Sequence, residues 1–567
     1  MRLLLAAVAP ESHRFVAPSM LAQQQRTNID FGGSAKINFR SLALSDEADA
    51  LPMRLAEGRL PSWLHGTLTR NGPGMFEAGS QPLTHLFDGF ALLVQIDLTP
   101  PATPAAGLLS LRFVRSAAFT AACAGSLGFS EFGTPRRGRA TNPLAAAAAL
   151  VDLATGQPTD NACVNIQRLP DGRRLAITEP QVGVYEFDQR LRTVRQWEWA
   201  GADTGQLATA HPLVHGPSAS SINIGTTVGP LGSAYRVFRT RAAAPAVKEL
   251  VATIPYAEMG SPAWMHAFGL TRTRAVILEQ PTPYDLPAML GVRGGELCCV
   301  SWKPQRGMRI HLVDLDSGHV DTRGVAPFFF FHVVNAFDGP DGGVSVDVCR
   351  YNDPTIITAL ALDRLNAGEP CGEEDDLPCS RLARLHVPAD PRRHVSTEYM
   401  DDEGASGGFC DFPAINPARA SEEHRFVWSS GKSSPTRVAN RLVKADLRGG
   451  PGSGRFFEEP GCFPGEAIFV GRPGGETEDD GVLLSLSNDG RDESTSLLVL
   501  DARTMALVAR LRSPVALPLG FHGEWQFASD ALVGRGEARR ERTSGRVDAR
   551  EGACRRRAGE GKREPQG

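Results

Sequence analysis

Four histidines lie far apart in the chain, yet each is embedded in an apolar or aromatic, strand-like stretch: His211 in TAHPLV, His266 in WMHAFGLT, His332 in FFFFHVVNAF and His522 in PLGFHGEW. Neutral imidazole is the commonest metal ligand, and a histidine among core-forming residues must find a partner for each ring nitrogen. One such residue reads more readily as an ordinary core histidine than as a ligand. Four of them, at separations of 55, 66 and 190 residues, would need four independent coincidences. We read them as one metal site assembled across the fold. Of the 13 histidines in the chain, His13, His65, His215, His319, His386, His394 and His424 have polar, Gly/Pro or Arg neighbours and are assigned to the surface or to turns.

A metal-bound imidazole usually donates its second ring N–H to a carboxylate or carbonyl, which fixes the tautomer and the ring direction. Carboxylates that serve this purpose sit in apolar settings, where an unpaired charge would be costly. Three do: Glu179 in LAITEP, Asp411 in GFCDFPAIN and Glu466 in FPGEAIFV. Taken alone, each reads equally well as an exposed acid at a strand edge.

The elements that must bring these residues together are strands. From about residue 50 to about residue 530 the chain has one texture, short Val/Ile/Leu/Phe runs broken by Gly, Pro, Asp or Asn, as in RAVILEQP, GVSVDVCRY and SLLVLDA. That is the pattern of many short antiparallel strands. With 59 Gly and 41 Pro, turns are plentiful and long helices scarce. A large all-β body needs closure or radial repetition to protect its edges, and a propeller does this at such a length. No WD- or kelch-type repeat is present, so periodicity alone gives a large all-β domain.

The ordered set of segments resembles the carotenoid cleavage oxygenase family, from about Leu51 to about Phe527. PSWLHGTLTRNGPGMFEAG (Pro61 to Gly79) is similar to the family's opening strand and turn, and HLFDGFALL (His85 to Leu93) to its next strand. NACVNI (Asn161 to Ile166), TAHP, MHAFGLT, FHVVNAF, DFPAIN, EDDGVLLSL (Glu478 to Leu486) and GFHGEW follow in the family's order. The resemblance implies a seven-bladed β-propeller with a helical or loop cap over the metal-bearing face. It matches His211, His266, His332 and His522 to four iron-binding histidines. Glu179, Asp411 and Glu466 fall where the family keeps three glutamates behind them. Asp411 is one methylene shorter than the glutamate expected there, so either the backbone moves closer or its hydrogen bond runs through water. Asp338, after NAF, also stands where a glutamate is usual. Both changes keep the charge and imply a tuned site.

An uncharged, all-nitrogen ligand set with open positions suits Fe(II) that must bind O₂. Zinc is the runner-up, although structural zinc closes its shell at four and more often recruits cysteine. The expected activity is therefore that of an Fe(II)-dependent dioxygenase, one iron per chain and O₂ as co-substrate. It would cleave a conjugated C=C bond of a carotenoid or apocarotenoid to two carbonyl products. Within the family the alternatives are a stilbenoid-cleaving dioxygenase or a retinoid isomerohydrolase, and outside it a non-catalytic carotenoid-binding propeller.

Other chemistries find no support. The 10 cysteines show no CxxC or finger spacing and fit scattered thiols in a reducing compartment. There is no Walker motif, no Rossmann glycine fingerprint after a strand and no serine nucleophile elbow. A net charge of –4 with no basic stripe argues against nucleic acid as a partner. The expected organisation is an N-terminal extension over 1–50, one catalytic propeller over 51–530, and a disordered Arg/Glu/Gly tail over 531–567. The apolar run in MRLLLAAVAPESHRF is too short to span a bilayer. Two apolar segments, 142–153 and 284–292, are candidates for peripheral membrane contact, each weighed against a short packed helix or loop. The expected state is a monomer or weak dimer, cytoplasmic and peripherally membrane-associated, with a plastid as the alternative location.

Overall fold

The computed structural model describes residues 35–98, 106–128, 132, 134, 159–229, 232–256, 261–285, 299–367, 371, 375–401, 408–433, 435–449 and 452–528. The N-terminal extension before residue 35, the segment 142–153, residues 286–292 of the second apolar segment, and the C-terminal tail lie outside them.

The strand texture of the sequence is realised as antiparallel meanders. One sheet runs in order through Val333–Asp338, Val344–Arg350, Arg381–Val387 and Ser396–Tyr399. Its second strand is buried along almost its whole length, whereas the last is exposed at every residue. Both faces of the second strand are covered, so its alternating Val344, Val346 and Val348 and the Ser345, Asp347 and Cys349 between them are all buried, whereas the outermost strand meets solvent. Alternation along a strand sends side chains to opposite faces. Ala275 and Ile277 of the strand Arg274–Glu279 therefore pack with Ile222, Ile224 and Val237 of the preceding sheet. Val276 and Leu278 pack with Val346 and Val348 of the following one. Each of the fully buried Val, Leu and Ile side chains among these contributes about 1.5–3 kcal/mol, so the sheets are held face to face by apolar contact.

The expectation of seven blades is corrected. The described residues form five sheets of four or more strands, arranged as propeller blades, beside a three-stranded sheet and a two-stranded one. The physical reason lies in the strand Ala48–Gly58. It hydrogen-bonds to Gly107–Phe113 on one side and to Leu507–Arg512 on the other, fusing the first and last parts of the chain into one ten-stranded sheet. Gly66–Met75 extends the same sheet by pairing with Gly523–Phe527. The sheet Phe426–Gly431, Arg441–Asp446, Arg455–Glu458 stops at three strands. The body is otherwise all-β with few helices, and the short helices Ala117–Cys123, Thr355–Ala359 and Leu362–Leu365 supply Ala118, Ile356 and Leu365 to the wall of the main cavity.

The ligand candidates occupy equivalent places. His266, His332 and His522 each stand just before a strand at the end of its sheet, Gly269–Leu270, Val333–Asp338 and Gly523–Phe527 respectively, and His211 lies between Leu207–Ala208 and Leu213–His215. These inner ends converge.

Candidate metal centre

The four histidines expected from the sequence meet at one point. One ligand-capable atom from each of His211, His266, His332 and His522 lies within 4.8 Å of every other. The Nε2 atoms of His211 and His266 are 3.1 Å apart, those of His266 and His332 3.4 Å, and those of His332 and His522 3.2 Å. Two nitrogens bound about 2.1 Å from a shared ion at a right angle would be about 3.0 Å apart. The spacing and the donor set therefore fit a metal ion.

The tautomers agree. His266 Nδ1 lies 2.6 Å from Glu179 Oε1, His332 Nδ1 2.7 Å from Asp411 Oδ1, and His522 Nδ1 2.7 Å from Glu466 Oε1. Each Nδ1–H donates to its carboxylate, which leaves the Nε2 lone pair facing the common centre. All three acids expected from the sequence are thus behind ligand candidates, and His211 has no such carboxylate among the described residues. Burial and the three neighbouring imidazoles push the His211 pKa well below its ordinary value, which keeps the ring neutral. Burial likewise lowers His522, against the opposing pull of Glu466. For Glu466 itself, burial would raise the pKa, but Arg70 and His522 outweigh it and hold the carboxyl below the usual range.

Arg70 was not singled out by the sequence reading. Its Nη1 donates to Glu466 Oε2 at 2.5 Å and its Nη2 to the Phe521 carbonyl at 2.7 Å, so one guanidinium ties an acid to the backbone beside its histidine. The next residue, Asn71, donates to the Ala162 and Asn165 carbonyls at 2.7 and 2.9 Å. Only the RNGP motif carried a signal for these roles: two polar residues in a strand whose neighbours are buried.

Two of the histidines assigned to the surface are corrected. His424 is buried, its Nε2 3.3 Å from Asp347 and its Nδ1 3.2 Å from Asn335. His215 is buried too, bridging the Ser218 hydroxyl and the Arg272 carbonyl at 2.7 Å each. The partners of His424 come from the strands Val333–Asp338 and Val344–Arg350, and those of His215 from the adjoining turn and the turn at Arg272, so the polar neighbours of each concealed its burial. Asp338 pairs with Thr273 and Arg274 rather than with a ligand histidine. Among the described cysteines, Cys123, Cys349, Cys379, Cys410 and Cys462 are free thiols.

The histidines open onto a cavity of about 1500 Å³ whose wall includes His266, His332 and His522 together with Trp264, Phe331, Phe412 and Phe521. Phe331 lies edge-on 5.8 Å from the His266 ring, and Phe412 lies 5.3 Å from His522. A hollow lined mainly by apolar and aromatic side chains beside the four imidazoles has the character of a site for an apolar molecule.

Residues 41–526 match the family model described as retinal pigment epithelial membrane protein. The chain is 33% identical over 481 residues to the chloroplastic carotenoid cleavage dioxygenase 8 homolog A of Oryza sativa subsp. japonica, covering 83% of this chain and 84% of that protein. The chain belongs to the carotenoid oxygenase family. Among solved structures, a Glu-to-Gln mutant of the Synechocystis apocarotenoid oxygenase superposes with a TM-score of 0.70 at 24% identity, covering 88% of this chain and 100% of that one. The cobalt-substituted form of the same oxygenase superposes with a TM-score of 0.69, also at 24% identity, with the same coverage. These two likenesses carry the fold.

Proposed function

We propose that the protein is an Fe(II)-dependent dioxygenase that cleaves one conjugated C=C bond of a carotenoid or apocarotenoid. The observation that carries the reading is the convergence of four imidazoles, three of them backed by carboxylates, at the wall of an aromatic cavity. The names of the family relatives, carotenoid cleavage dioxygenases, support the substrate class and the reaction. The alkene carbons and both atoms of O₂ account for the two carbonyl products, so no protein group need be consumed.

His211, His266, His332 and His522 would hold the ion through Nε2. Iron(II), when bound there, supplies the centre at which dioxygen is activated toward the alkene. Glu179, Asp411 and Glu466 fix ring orientation and keep the imidazoles rich in electrons. Trp264, Phe331 and Phe412 would lay the polyene along the wall and exclude water, so that one double bond is presented in a fixed register. The test is incubation of anaerobically purified protein with Fe(II), O₂ and a panel of β-carotene and apocarotenals. Loss of polyene absorbance with new aldehyde peaks is the expected result; an unchanged panel together with cleavage of a stilbenoid would move the protein to the other substrate class.

We place the protein at a membrane surface, since such substrates dissolve in lipid and the segment YDLPAMLGV (284–292) is apolar. No helix among the described residues is long and apolar enough to cross a membrane. Exchanging Leu286, Met289 and Leu290 for polar residues should reduce liposome co-sedimentation. Equal pelleting would remove this segment from the account. The chloroplastic designation of the rice relative supports a plastid as the site of action.

A further inference from the structure

We infer that Tyr351 is a positioning residue of the metal centre, one that holds the short Asp411 carboxylate at the reach His332 requires; this rests on reading the four histidines as a metal site. Asp411 carries one methylene fewer than Glu179 and Glu466. Even so, its contact with His332 Nδ1 is direct at 2.7 Å, matching the 2.6 and 2.7 Å of the glutamate arms. Two features supply the missing reach.

The first is the backbone. Phe412 has φ of +56°, a left-handed conformation that is uncommon and strained for a bulky residue. With that bend its N–H donates to Asp411 Oδ1 at 2.9 Å. The second is the Tyr351 hydroxyl, which donates to Asp411 Oδ2 at 2.9 Å. The same hydroxyl lies 3.2 Å from the Cys410 carbonyl, but the nearer, charged oxygen is the stronger acceptor. Asp411 is therefore gripped at both oxygens, one by His332 and Phe412, the other by Tyr351.

The three arms differ in what stands behind them. Glu466 is braced by a guanidinium, Asp411 by a phenol with the Cys349 thiol also hydrogen-bonded to it, and Glu179 by the Thr178 hydroxyl at 3.3 Å and a backbone N–H. Tyr351 is 4% exposed and its ring packs 6.1 Å from Phe331, so the hydroxyl has little freedom to leave Asp411. A hydroxyl and a methylene are similar in size. The Tyr351 oxygen thus occupies the room that a longer acid would need, and the short acid and the phenol form a matched pair. Changing either one alone breaks the match, and changing both restores it.

Four proteins decide this: wild type, Tyr351→Phe, Asp411→Glu, and the double variant, each titrated anaerobically with Co(II). The readouts are Co(II) affinity, the visible Co(II) absorption bands and the melting temperature. Tyr351→Phe should weaken Co(II) about tenfold and shift the bands, since partners of this kind set ligand orientation. Asp411→Glu alone should weaken it at least as much. The double variant should return to within about threefold of wild type, a coupling that independent sites would not show. Wild-type affinity and bands in either single variant, or a double variant no better than the worse single one, would overturn the role of Tyr351 and leave the metal site standing. Failure of the wild-type protein to bind Co(II) at all would overturn the site, and this inference with it.

Discussion

At the scale of single residues, the centre depends on which ring nitrogen carries the proton, and the carboxylates decide that. Glu466 shows how narrow the requirement is. Its Oε1 accepts from His522 and its Oε2 from Arg70, so both oxygens face donors. A glutamine there has one acceptor and one donor, and in either orientation an amide N–H opposes another N–H. Glu466→Gln should therefore keep the fold but lower turnover about 10–100-fold, the range for disturbing a ligand's partner. Turnover measured beside the melting temperature checks it, and full activity would show that the carboxylate is dispensable. The four histidines and three acids were legible in the sequence because each is a polar residue in an apolar run. Arg70 was not, since its partner lies 396 residues away and nothing local ties the RNGP motif to that acid. Tyr351 was hidden for a different reason, being an aromatic residue in an apolar setting like many others.

At the scale of elements, ligand positions are set where strand ends approach closely. Asn71 and the last ligand segment exchange backbone hydrogen bonds, Asn71 N–H to the His522 carbonyl and Phe521 N–H to the Asn71 carbonyl, both at 2.8 Å. Gly72 permits this contact. A Cβ there would stand 2.6 Å from the Phe521 nitrogen and 2.7 Å from the Gly520 Cα, and the opposing atoms are backbone that cannot turn aside. Gly72→Ala should cost about 1–3 kcal/mol, as overpacking does, and should also weaken metal binding by displacing His522. Thermal melting with metal analysis tests both, and a variant melting and binding like wild type would mean the two segments can separate freely. Strand type was readable from apolar runs and turn residues, as the buried Val344–Arg350 shows. Strand pairing was not. Phe412 in the left-handed region had no sequence sign, because the conformation is imposed by its surroundings rather than favoured by phenylalanine.

At the scale of the whole molecule, closure explains how residues from 211 to 522 come to share one centre. The strand Ala48–Gly58 joins the two ends of the body through Arg54 opposite Arg512 and Met53 opposite Gly107. The number of blades is therefore a property of hydrogen bonding between distant strands, and local texture could not count them. Family likeness, by contrast, survives such detail because it rests on the order of the motifs. The central claim is that one metal ion is held by all four histidines. Metal analysis of protein loaded anaerobically with Fe(II) and freed of excess tests it most directly, on the wild type and on His211→Ala, His266→Ala, His332→Ala and His522→Ala. The account predicts about one iron per wild-type chain and a large loss in every variant, because removing a ligand outweighs disturbing its partner. Stoichiometric iron retained in any of the four would contradict it.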